Sequence, residues 1–116
     1  MYISLYSESF PAVLREMCES PEMTRLSGIG MHCGCDYTSF PIYKKLLGNY
    51  DRLTHSIGVA SIVWHFTGSI TESVAGLLHD IATPVFAHTI DFMNNDYEKQ
   101  ESTEVGTRFF IENSDK

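Results

Sequence analysis

Leu77-Leu78-His79-Asp80-Ile81 is the stretch on which the reading of this chain turns. A histidine and an aspartate stand side by side at the end of an apolar run, where both would be drawn out of water. An ionised carboxylate buried beside an imidazole is strongly unfavourable unless a cation or hydrogen bonds compensate it. A divalent metal is the simplest compensation, because His nitrogen and Asp oxygen suit Mn, Fe, Ni, Co, Zn or Mg. Taken alone, the dipeptide reads equally well as a helix C-terminus, where His meets the negative end of the dipole and Asp opens a turn.

The flanking segments sharpen the choice. Upstream lies Asp51-Arg52-Leu53-Thr54-His55-Ser56-Ile57-Gly58-Val59, and downstream Thr83-Pro84-Val85-Phe86-Ala87-His88-Thr89-Ile90-Asp91. In order, these give Arg-x-x-His-Ser-x-Gly-Val, then His-Asp, then Pro-x-Phe-x-His-x-x-Asp. From about Ser20 to Glu104 the chain resembles the HD-domain metal-dependent phosphohydrolases, nearest the deoxynucleoside triphosphate triphosphohydrolase-like branch.

That resemblance implies an all-α HD-domain helical bundle holding one divalent metal ion through His55, His79 and Asp80. It implies hydrolysis of a nucleotide or another phosphate ester or anhydride, by attack of a metal-activated water. It sets Arg52 against a phosphate oxygen, and His88, supported by Asp91, over the phosphates as the group that moves a proton. From the residues alone, His55 also reads as a hydrogen-bonded core histidine, and Arg52 as a helix-start cation paired with a carboxylate.

Two departures from the branch matter. Its members carry a further His where Thr83 stands, and a His-Glu pair where this chain has Gln100-Glu101. Gln100 can contact a substrate but cannot carry a proton. The family's metal also takes a later Asp, and no carboxylate after Asp91 lies in that context. The expectation is therefore an incomplete N-terminal part of the domain. A catalytically degenerate metal- or nucleotide-binding regulatory module is the alternative, and a helical interaction domain without metal is the third.

Size and charge bound these readings. The chain has 116 residues, 43% hydrophobic and 20% charged, as expected for one ordinary domain or part of one. The expected division is an N-terminal helical arm and pocket loop over 1–50, followed by core helices over 51–116. A formal net charge of −7 argues against general nucleic-acid or anionic-membrane binding. It leaves room for a phosphate-containing small molecule, since a metal and local cations can reverse the sign within one cleft. Residues Met1 to Phe10 lack a signal-peptide pattern and no apolar run is long enough to span a bilayer, so the cytoplasm is the expected compartment. A homo-oligomer is left open. Cys18, Cys33 and Cys35 read as reduced thiols, and a zinc site with His32 lacks a fourth ligand at finger-like spacing.

Along the chain, Tyr2 to Tyr6 suggests a short strand or ordered arm. Phe10 to Glu19 suggests a helix burying Val13, Leu14, Met17 and Cys18. Ser20-Pro21-Glu22 starts a second helix, with Met23 and Leu26 inward and an end near Gly28 or Gly30. Arg25-Leu26 and the glycine-rich turn occupy the place of the family's nucleotide pocket. A short helix over 39–48 carries Lys44-Lys45 on a solvated face. Asp51 to Phe66, apolar nearly all round, reads as a central helix with Trp64 and Phe66 buried. Ser69-Ile70-Thr71-Glu72 forms a capping box opening Ile70 to His79. There Val74, Ala75, Leu77 and Leu78 face the first core helix, and Ala75 and Gly76 permit close approach. Pro84 starts a short helix bearing His88 and Asp91. A last helix from Glu101 to Glu112 turns Val105, Phe109, Phe110 and Ile111 inward.

Overall fold

Asp51 fixes the start of the principal helix. Its backbone is extended, and its Oδ1 accepts the Thr54 backbone N–H at 2.7 Å and the Thr54 hydroxyl at 2.8 Å. The computed structural model describes residues 10–32, 37–46, 50–99 and 101–114. In order these form α1 (Ala12–Cys18), α2 (Pro21–Thr24), a 3-10 turn (Arg25–Gly28), α3 (Pro41–Leu46), α4 (Arg52–Thr67), α5 (Ile70–Leu78), α6 (Thr89–Met93), a second 3-10 turn (Glu101–Thr103) and α7 (Thr107–Glu112). The fold is all-α. Among the described residues the only β pairing is one isolated antiparallel bridge between Gly30 and Asp51. The segment Tyr2 to Tyr6, together with Cys33, Cys35 and Gln100, lies outside the described residues.

The antiparallel pair α4–α5 organises the rest. α4 stops at Gly68, whose φ of 61° is a left-handed conformation that glycine adopts freely, and whose N–H closes on the Trp64 carbonyl at 2.9 Å. Ser69 then caps α5, accepting the Glu72 N–H at 3.3 Å. With so short a connection the second helix must run back along the first. The two approach closely at Gly76, where a Cβ would stand 3.3 Å from Val59 Cγ1 and 3.4 Å from Val63 Cγ2.

Beyond its first turn, the buried side of α4 is made of small residues, Ser56, Gly58, Ala60 and Ser61, besides Ile57. Ser61 Oγ donates to the Ile57 carbonyl at 2.8 Å, and Ser73 Oγ on α5 to the Ser69 carbonyl at 2.7 Å. These two hydroxyls are thus satisfied within their own helices, and the interface can stay narrow. The close seam corrects the expectation of a helix buried all round. Phe66 is 81% exposed, Ile62 is exposed as well, and Trp64 is only half-buried. A tight contact admits small residues and leaves the bulky ones outside. Ala75 is likewise exposed, so Gly76 alone provides the close approach.

The N-terminal elements pack on the entrance of α4. Ser20 caps α2 through the Met23 N–H, and Met23 and Leu26 are fully buried. The Arg52 N–H donates to the Ile29 carbonyl at 2.9 Å, tying the end of the 3-10 turn to the first residue of α4. One apolar core therefore draws Phe10, Leu14, Met23, Leu26 and Ile29 together with Ile57, Ala60, Leu77 and Ile81. Val13 is exposed, a correction to the face assigned to α1. The expected helix from Glu101 to Glu112 is broken: α7 begins only at Thr107, after Gly106, and glycine is a poor helix former. Val105, Phe109 and Ile111 are exposed, and only Phe110 of that set packs against the core.

Stability should follow this map rather than the hydrophobic pattern. Leu77→Ala, at a fully buried site, is expected to lose about 2–5 kcal/mol. Phe66→Ala is expected to stay within about 0.5 kcal/mol of the parent. Urea midpoints at constant slope measure both, and a larger loss for Phe66→Ala than for Leu77→Ala would contradict the packing described. No helix among the described residues is long and apolar enough to cross a membrane.

Candidate metal centre

The end of α5 and the start of α4 meet because the two helices run antiparallel. His79 stands at the C-cap of α5 and His55 in the first turn of α4, and their rings lie 5.3 Å apart, edge to face. Asp80 follows His79 and turns its carboxylate between them. Its Oδ2 lies 3.4 Å from His79 Nε2 and 3.7 Å from His55 Nε2. One donor atom from each of the three residues can be chosen so that all lie within 4.8 Å of one another, and this is the only such cluster of three or more His, Cys, Asp or Glu among the described residues.

The outer nitrogens decide what the inner ones offer. His79 Nδ1 sits 2.7 Å from the Gly76 carbonyl, which can only accept, so Nδ1 carries the proton. Of the two ring nitrogens, Nε2 is then the one available to a metal. This carbonyl–imidazole arrangement is the usual support for a metal-ligating histidine. Tyr50 Oη lies 3.4 Å from His55 Nδ1 and can support the same tautomer there. Burial lowers the His55 pKa, with the His79 and Arg52 charges adding to the effect and Asp80 opposing it. A neutral imidazole is the form that binds metal. Two imidazoles and a carboxylate suit a divalent cation in their donor chemistry.

Asp80 already has one charge partner. Arg52 Nη1 donates to the same Oδ2 at 2.7 Å, and the guanidinium is almost wholly buried. Of the two readings of Arg52, phosphate contact and carboxylate partner, the carboxylate contact is present in the structure, one turn before His55 on the same helix face.

His88 and Asp91 form a separate pair and do not join the cluster. His88 Nδ1 lies 3.0 Å from Asp91 Oδ2, with Asp91 fully buried and the His88 side chain 42% exposed. The short helix starts at Thr89 rather than at Pro84, so the pair spans its first turn. Ala87, at φ 46°, takes a left-handed backbone that disfavours an L-residue by roughly 1–2 kcal/mol. It turns the chain immediately before His88. Gln100, the remaining candidate substrate contact, lies outside the described residues. Cys18 is buried and its thiol is pushed up to about 11, by burial first and Glu19 second, so it stays protonated.

Sequence reasoning missed two contacts. Tyr50 was passed over because it precedes the helix. Arg25 was placed near a nucleotide pocket, yet its Nη1 and Nη2 donate to the carbonyls of Thr83 and Ile81 at 2.8 and 2.6 Å. A chain position alone carries no signal for a bond between residues so far apart in sequence.

The lowered His55 pKa has a measurable sign. Below its ordinary value of 6.5 the unfolded chain takes up a proton that the folded site resists, so this residue makes stability fall as pH falls through that value. The metal-free parent should therefore lose stability towards about pH 5 more steeply than His55→Gln, as read from urea midpoints between about pH 5 and 8. Parallel profiles would contradict the burial argument.

Comparison with known proteins follows the same direction. Over 79 residues, 68% of the chain, it is 38% identical to the uncharacterized protein YdhJ of Bacillus subtilis. Over 79 residues it is 37% identical to the metal-dependent phosphohydrolase cns2 of the fungus Cordyceps militaris. It covers 22% of the first protein and 21% of the second, so the chain spans about a fifth of the length of the curated relatives it matches. No family model matches the chain. No solved structure gives a significant match. The likeness to cns2 supports a metal-dependent phosphohydrolase reading of the motifs; it says nothing of the triphosphohydrolase branch.

Proposed function

We propose that this chain forms part of an HD-superfamily phosphohydrolase and supplies His55, His79 and Asp80 as ligands to one divalent metal. The observation that carries the reading is the convergence of both Nε2 atoms on one Asp80 oxygen, with His79 Nδ1 turned to the Gly76 carbonyl. A divalent ion held there would supply Lewis acidity to a phosphoryl oxygen and make an attacking water more acidic. The ion's identity is open among Mn, Fe, Ni, Co, Zn and Mg. Three protein ligands are the number that catalytic zinc sites commonly use, which leaves a position for water or substrate.

The chain's own residues divide the remaining work. Arg52 holds Asp80 by a short charged hydrogen bond and brings a buried positive charge next to the place a phosphate would occupy. His88, partly open to solvent and held through Nδ1 by Asp91, is the candidate for moving a proton at its other nitrogen. The substrate is proposed as a nucleotide or another phosphate ester or anhydride, the class that the triphosphohydrolase-like motifs favour, with Gln100 as a further contact.

The pairing of Arg52 with Asp80 favours a second reading, a metal- or nucleotide-binding module without turnover, because the guanidinium is engaged by the protein. The two readings separate when the intact protein, loaded with Mn, is incubated with a panel of nucleoside mono-, di- and triphosphates and simple phosphate esters. Metal-dependent phosphate release, abolished by chelation, supports the hydrolase. Stoichiometric metal without phosphate release from any member supports the module.

A further inference from the structure

We infer that Arg25 is a positioning residue for the His79–Asp80 pair, acting through the loop that carries the chain away from it. The inference rests on the metal-site reading above and concerns a residue to which no part of that reading assigns a role.

α5 ends at Leu78, and beyond it one further turn, the Ile81 N–H on the Leu78 carbonyl at 3.1 Å, ties the chain to the helix. The carbonyls of the following loop are held from outside. Arg25 Nη2 donates to the Ile81 carbonyl at 2.6 Å and Nη1 to the Thr83 carbonyl at 2.8 Å. The loop's own backbone closes with the Thr83 N–H on the Asp80 carbonyl, and among the described residues it offers no N–H to either carbonyl that Arg25 holds. Ile81 and Thr83 are both buried, so water is a poor substitute for the guanidinium there. Arg25 itself is anchored: Leu26 beside it is fully buried, and the Phe110 ring lies under the guanidinium, 5.1 Å from its carbon.

The planar fork suits two parallel acceptors, which an ammonium cannot reproduce. The loop begins at the residue after Asp80, so its anchorage sets where the carboxylate stands against His55 and Arg52. The 3-10 turn, α7 and the exit of α5 are thereby joined at one side chain, and the ligand pair is placed by residues distant from it in sequence.

Titration of Co2+ into the intact protein, followed by visible absorption, tests this. Arg25→Met, which keeps the apolar stem, is expected to weaken Co2+ binding by about 10–100-fold and to change the shape of the band, as loss of outer-shell support does. Arg25→Lys, able to reach one carbonyl, should fall between. Leu14→Val, a core change on α1 that removes no hydrogen bond to the loop, should lower stability but leave affinity and band unchanged. If Arg25→Met folds and matches the parent in both, the inference is overturned. If it does not fold, Arg25→Lys decides: parental affinity and band overturn the inference, and weaker binding with an altered band sustains it. Failure of the parent to bind Co2+, or parental binding in His79→Ala, would instead overturn the metal site on which the inference stands.

Discussion

Asp80→Ala is expected to remove bound metal and phosphate release together, and to destabilise the fold by about 3–5 kcal/mol. Two arguments meet at this side chain. Its Oδ2 faces both imidazole Nε2 atoms, and Asp80 is the only carboxylate residue in the cluster, so nothing nearby can replace it as an anionic ligand. The same oxygen is the acceptor for Arg52, which is 4% exposed; removing it leaves a buried guanidinium uncompensated. Asp80→Asn separates the two effects, because the amide oxygen still accepts from Arg52 while the negative charge is lost. It should recover part of the stability and little of the metal affinity. Retention of stoichiometric metal in Asp80→Ala would remove Asp80 from the ligand set, whatever the stability.

His88→Ala is expected to differ in kind. Metal content should be unchanged, because His88 does not belong to the cluster, while turnover should fall by roughly 10²–10⁴-fold if the imidazole acts as a general acid or base. Asp91, wholly buried, takes Nδ1, and the partly exposed ring keeps its other nitrogen for exchange with substrate or water. The strained turn at Ala87 also belongs with a position that needs a particular approach rather than with simple packing. Turnover in the metal-loaded variant within about twofold of the parent would take the proton-transfer role from His88.

The frame of the site was legible in the sequence. Asp51, Ser20 and Ser69 announced helix starts by their side-chain chemistry, and each caps as expected. The short Thr67-Gly68 connection implied an antiparallel pair, and that geometry brings His55 to His79. What the sequence concealed was what each face packs against. Ser56, Ser61 and Ser73 look solvent-facing on any hydrophobic pattern, yet they are buried, while Phe66 and Val105 look like core and are exposed. A local pattern records apolar character but not the separation between helices, which Gly76 sets. Arg52 could be read as a phosphate contact or as a carboxylate partner, and its contact with Asp80 is a distance that no local pattern contains. Arg25 gave no cue, because its acceptors are backbone carbonyls that every residue possesses.

The central claim is that one divalent ion sits among His55, His79 and Asp80. Anomalous diffraction from crystals of the intact protein grown with Zn2+ tests it most directly. An anomalous peak is expected, bound by Nε2 of His55, Nε2 of His79 and a carboxylate oxygen of Asp80, at about 2.0–2.2 Å from each. A fully occupied zinc elsewhere in the protein with no peak between these three side chains, or crystals grown at saturating Zn2+ in which Arg52 alone still satisfies Asp80, would contradict it.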